Sequence, residues 1–99
     1  MNDTFHAALR IEATHPALAG HFPGNPVVPG VVLLERVAAA LRTWRGGCVE
    51  KLDAKFVQPL LPGEDATIEL HADAPRIRFA VMRSDGVALA RGTLQAAQT

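Results

Sequence analysis

Hydrophobic and polar positions alternate over Thr4–Ala13: Phe5, Ala7, Leu9 and Ile11 fall on one face, His6, Arg10 and Glu12 on the other. Period two over this length predicts a half-buried strand. The alternation then stops. Thr14 to Gly30 carries four prolines and three glycines in seventeen residues, too many for a helix or a central strand. A long irregular loop in a compact domain is more often functional than not. A helix follows, in which Val31, Val32, Leu33, Leu34, Val37, Ala38, Leu41 and Trp44 leave little of the cylinder polar. Pro29 suits its first turn, where a missing N–H costs nothing. Gly46-Gly47 supplies a stop, with Arg42 and Arg45 near the negative end of the helix dipole. A helix apolar on most sides must be wrapped rather than laid on a surface.

The remainder predicts strands. Cys48–Val57 alternates roughly through Val49, Leu52, Ala54 and Phe56, and Pro59–Asp65 supplies a Pro-Gly turn. Ala66–Ala72 and Arg76–Arg83 follow, the second alternating cleanly between Arg76 and Arg78 on one face and Ile77, Phe79 and Val81 on the other. Ser84-Asp85-Gly86 is a hairpin signal before a last strand, Val87–Ala96. One strand, one buried helix and about four antiparallel strands make an α+β domain. Its simplest packing wraps an antiparallel sheet around a central, mostly apolar helix.

Composition narrows the picture. The 99 residues read as a single domain, 1–99, with ten Lys+Arg balanced by ten Asp+Glu. That balance argues against a nucleic-acid partner, whose phosphates call for a basic excess. A lone cysteine, Cys48, cannot form an internal disulfide. His6, His15 and His71 lack short ligand spacing and Cys48 lacks a partner cysteine, so no metal site is expected. The first residues show no signal-peptide pattern, and the longest apolar run, Pro26–Leu34, is too short to span a bilayer. A soluble cytoplasmic protein with no membrane association is expected. Roughly 65% of the unfolded chain's surface is buried at this size, which accommodates one modest core but hardly a roomy ligand cavity as well. Eight of the ten basic residues are Arg, and Arg42, Arg45, Lys51, Lys55 and then Arg76, Arg78, Arg83 form two groups. Each group is either a solvated face or a patch for an acidic partner.

The candidate chemistry lies in the loop and the first helical turns. His21 is flanked by Gly20 and Phe22-Pro23, which restrict its backbone. Gly30 sits at the helix N-terminus, where free N–H groups and the dipole favour developing negative charge. Glu35 falls on the second turn of an otherwise apolar helix; buried there, it would hold a proton near neutral pH. An imidazole, a protonated carboxyl and an oxyanion-type donor form a general acid–base set. Taken singly, each has a structural explanation: a loop histidine, a wet helix edge, a helix start.

Together they are distinctive. The run Gly20-His21-Phe22-Pro23-Gly24-x-Pro26-Val27-x-Pro29-Gly30-Val31, with Glu35 fourteen residues after His21, resembles the signature of the hotdog-fold 3-hydroxyacyl-(acyl-carrier-protein) dehydratases. The resemblance is to the branch that carries Glu rather than Asp. It continues in Ala54-Lys55-Phe56-Val57-x-Pro59-Leu60-x-Pro62-Gly63-Glu64 and, more faintly, in Gly86–Gly92.

The resemblance implies elimination of water from a 3-hydroxyacyl thioester to a trans-2-enoyl thioester, in fatty-acid or specialised lipid or polyene biosynthesis. His21 would take the C2 proton, Glu35 would protonate the departing C3 hydroxyl or orient a water toward it, and the Gly30 N–H would polarise the thioester carbonyl. Phe22, Pro23, Pro29 and Val31 would contact substrate. The family's sites are shared between the two subunits of a dimer. The acyl chain lies along the interface, and an acyl carrier protein delivers it on phosphopantetheine. No metal or redox cofactor is implied. Where the family usually continues Ala-Met-Ala-Gln after the Glu, this chain has Arg36-Val37-Ala38-Ala39. A polar helper is therefore absent at Ala39, and Arg36 is placed to pair with Glu35 and lower its pKa. The alternatives are a hotdog acyl thioesterase and a non-catalytic acyl-thioester binding module.

Overall fold

A computed structural model describes residues 3–18 and 27–97. Five strands and one helix follow the order β1 (Thr4–Leu9), α1 (Gly30–Arg45), β2 (Val49–Phe56), β3 (Ala66–Asp73), β4 (Arg76–Arg83) and β5 (Ala88–Ala96), with a short 3-10 turn at Pro16–Leu18. The strands form one antiparallel sheet in the order β1-β3-β4-β5-β2. This is the α+β arrangement expected from the alternation. Helix α1 packs against β1 and β3. Among the described residues, no helix is long and apolar enough to cross a membrane.

The core lies between α1 and the sheet's inner face. Val37 and Leu41 from the helix meet Ile68, Leu70, Phe79, Val81, Leu89 and Leu94 from the strands, all at most 3% exposed. No polar or charged side chain is buried among the described residues. Stability here comes from apolar burial, at about 25 cal/mol per Å² removed from water. Pro29 stands just before the helix as its N-cap, one position earlier than the sequence reading, and no side chain caps it. At the other end Gly46 adopts φ 74° and its N–H donates to the Arg42 carbonyl at 3.0 Å. That left-handed conformation is what Gly at a helix end provides.

Two irregularities revise the alternation. In β2, Val49 pairs with Ala96 but Lys51 pairs with Gln95, so Glu50 is an extra residue. Val49 and Leu52 both pack on the core although three positions apart, because the bulge resets the face. In β5, Val81 pairs with Ala90 and Met82 with Ala88, which leaves Leu89 unpaired and lets Leu89 and Ala90 both be fully buried. The first strand is also shorter than Thr4–Ala13, ending at Leu9. Ile11 is buried beyond it, and its carbonyl accepts the Gly63 N–H at 2.8 Å. β3 runs on to Asp73, so His71 lies within the strand, half-buried and hydrogen-bonded to Thr4 through Nδ1 at 3.0 Å.

β2 lies close over β5 at Gly92. A Cβ at Gly92 would strike the Asp53 carbonyl oxygen and come within 2.9 Å of the Phe79 ring. The absence of a side chain there lets the β2 backbone approach β5 this closely.

Candidate active site

Gly30 is the first residue of α1. Its N–H makes no hydrogen bond among the described residues, which leaves a donor free at the positive end of the dipole. Gly30 also lines a groove of about 370 Å³ with Val28, Leu33, Phe56, Val57 and Leu60. The Phe56 ring abuts it closely: a Cβ on Gly30 would lie 2.7 Å from Cζ. The groove is held in shape by the segment before the helix, where the Val28 N–H donates to the Leu60 carbonyl at 2.8 Å.

Glu35 is exposed, five residues into α1. At about 100° per residue it shares a stripe with Val31, Ala38 and Arg42, turned away from the buried Leu33, Val37 and Leu41. Val31 is 61% exposed, and Phe56, Val57 and Leu61 are 50%, 43% and 42% exposed. The wrapping expected of an apolar helix is therefore incomplete among the described residues. Glu35 is likewise not buried among the described residues.

Arg36 is not the partner of Glu35. Adjacent helical residues diverge by about 100°, and Arg36 lines the cleft against β1 with Phe5, Ala7, Ala39 and Ile68. Glu35 and Arg36 form no ion pair among the described residues. Ala39, where the polar helper is missing, belongs to that same cleft. Of the remaining candidates, Pro29 is half-buried immediately before Gly30, and Val31 stands exposed immediately after it. His21, Phe22 and Pro23 lie outside the described residues.

The register redistributes the basic residues. Arg83 is tied to Asp85, at 2.8 Å from Nη2, and lies 4.0 Å from Glu64. Lys55 and Arg91 stand directly opposite each other on the sheet's outer face. With Arg78, His71 and one carboxylate, Glu69, they line a depression of about 540 Å³ that also includes Ala80. Arg91 was not among the groups read from sequence, because only strand pairing brings it beside Lys55. Phe56 was read as an alternating apolar position of the strand Cys48–Val57; it is the last residue of β2 and half exposed.

A family model described as ApeI-like, ApeI dehydratase, matches residues 1–93. The chain belongs to the ApeI-like family. It is 34% identical over 96 residues to the 3-hydroxyacyl-(acyl-carrier-protein) dehydratase FabZ of Anaeromyxobacter sp. (strain Fw109-5), covering 83% of this chain and 60% of that protein. To the FabZ of Cronobacter sakazakii it is 33% identical over 98 residues, covering 87% of this chain and 64% of the relative. The chain thus spans less than two thirds of the length of these relatives. In three dimensions it resembles the dehydratase heterocomplex ApeI:P of Xenorhabdus doucetiae, with a TM-score of 0.84 at 22% identity over 97% of this chain and 88% of that one. At that identity the likeness is one of fold, and it is the hotdog arrangement the sequence resemblance implied.

Proposed function

We propose that the chain is a 3-hydroxyacyl-thioester dehydratase acting on acyl groups carried by an acyl carrier protein. The observation that carries this reading is the placement of Gly30 and Glu35. A backbone N–H with no partner among the described residues heads α1 in an apolar groove, and an exposed carboxyl group follows on the helix. The Gly30 N–H donates a hydrogen bond to the thioester carbonyl oxygen and stabilises enolate charge as it develops. His21 removes the C2 proton. The C2–H electron pair becomes the C2=C3 bond, and the C3 hydroxyl departs as water with a proton from Glu35. Proton transfers alone complete the reaction, so no metal or redox cofactor takes part, and phosphopantetheine enters as part of the substrate.

The site is completed by a second copy. Phe56 and Val57 line the Gly30 groove and Val31 follows Gly30, all three exposing apolar surface, and β2, which ends at Phe56, is an edge strand. Such a patch calls for a partner surface. A homodimer covering it would desolvate Glu35, and the acyl chain would lie in the covered groove. The carrier protein, being acidic, would meet the outer face at Lys55, Arg78 and Arg91. A cytoplasmic setting accords with this chemistry.

Incubation with a 3-hydroxyacyl thioester on carrier protein tests the reading, following enoyl formation and free thiol together. Enoyl product that falls about 10²- to 10⁴-fold in His21→Ala and in Glu35→Gln is expected for loss of a general acid or base. Free thiol without enoyl product would move the assignment to a thioesterase. Binding without either product would leave a binding module.

A further inference from the structure

Phe56 is an aromatic residue in an unusual position. It pairs with Ala90 across β2 and β5 and so shares the sheet's inner face with a fully buried residue, yet it is half exposed. Three atoms at the tip of its ring, Cζ, Cε1 and Cε2, lie 2.7, 3.0 and 3.1 Å from the position a Gly30 Cβ would take. The ring is therefore wedged against the residue whose N–H heads the helix, while its remaining surface opens into the groove with Val28, Leu33, Val57 and Leu60.

Its mount is fixed. Immediately after Phe56, the Val57 and Gln58 N–H groups both donate to the Leu89 carbonyl, at 2.8 and 3.3 Å. Leu89 is the extra residue of the β5 bulge and is fully buried. The strand end is thus pinned to the sheet just where the ring leaves it. A side chain held at its backbone and blocked at its tip makes a wall rather than a swinging door.

We propose that Phe56 is the specificity-determining wall of the acyl site, packing on the carbons beside the thioester carbonyl and excluding substituents there. The proposal rests on the dehydratase reading of the Gly30 groove. A carbonyl that takes the Gly30 N–H sets its C2–C4 segment alongside the groove's nearest large side chain, which is this ring. A methyl branch at C2 or C4 would overlap the ring, whereas a straight chain passes beside it.

The test compares straight-chain 3-hydroxyacyl pantetheine thioesters with 2-methyl and 4-methyl analogues of the same length, in the wild type, Phe56→Leu and Phe56→Ala. One methyl group in an apolar pocket shifts selectivity by about 10- to 200-fold. The wild type should favour the straight chain by at least about 10-fold in kcat/KM, and Phe56→Ala should bring that ratio close to one, chiefly by lowering KM for the branched substrates. Phe56→Leu, which keeps apolar bulk and secures a folded protein, should fall between them. Equilibrium binding of the same thioesters by calorimetry separates this proposal from the dehydratase reading. A wild type that forms no enoyl product but prefers the straight thioester, with the preference lost in Phe56→Ala, would overturn the reaction and uphold the wall. Equal selectivity in the wild type and a folded Phe56→Ala, in turnover and in binding, would overturn the wall itself.

Discussion

The two ends of helix α1 are finished differently. Toward its C-terminus the chain closes on itself. Leu41 is buried, Gly46 caps the last turn, and Trp44 stacks on Phe5 at 6.0 Å with Arg45 lying 4.0 Å over its ring. Toward its N-terminus the chain leaves apolar groups uncovered: Val31 on the helix, Phe56 and Val57 at the end of β2, and Leu61 in the following turn. One end satisfies its own hydrophobic surface, and the other presents it. The Gly30 N–H and Glu35 belong to the presenting half. On the proposed reading, the core is built at one end and the cavity is made between copies at the other.

This contrast can be broken at either end. The largest effect is expected at the closed end, where Leu41→Ala should cost about 2–5 kcal/mol of folding stability, read as a fall in Tm and in the denaturant midpoint. Next comes Gly92→Ala, in which a Cβ must push β2 away from β5. Overpacking of this kind costs about 1–3 kcal/mol, and hydrogen exchange should rise first in β2 amides. At the open end, Val31→Asp should leave the stability of the single chain within about 0.5 kcal/mol while shifting the sedimentation coefficient toward monomer. A large drop in stability without a change of assembly state would erase the distinction between the ends.

The smallest effect is expected at the β4–β5 turn, away from both. Arg83 donates to Asp85 through Nε and Nη2, and the Val87 N–H donates to it as well, at 3.0, 2.8 and 3.2 Å. These bonds, the Arg83 pairing foremost, hold the Asp85 carboxyl below its ordinary pKa. A carboxyl so depressed contributes stability that is complete above the ordinary carboxylate range and lost as pH falls through its folded value. The pair is exposed, so screening keeps the contribution slight. NMR titration should find Asp85 losing its charge below the ordinary carboxylate range, and Arg83→Ala should move it back up.

Much of this was legible in the sequence, because the signals were local. Pro29 and Gly46 bracket α1, Ser84-Asp85-Gly86 marks the hairpin, and Ile77, Phe79 and Val81 alternate inward as observed. The bulges at Glu50 and Leu89 were not legible, since an extra residue in a ladder is defined by its partner strand. For the same reason the Lys55–Arg91 pairing stayed hidden. Gly30 and Glu35 could be picked by residue type and position, but Glu35's exposure could not. An apolar helix predicts that it will be covered without saying by which chain.

The central claim is that the open end becomes a site shared between two copies, with His21 from one and Glu35 from the other. Mixing His21→Ala with Glu35→Gln tests it most directly. Neither variant alone has an intact site, but a mixed dimer would have one. After subunit exchange, random pairing should restore about a quarter of the wild-type rate of enoyl formation. A mixture that remains as inactive as its two components, with exchange confirmed by mass spectrometry, would contradict the claim.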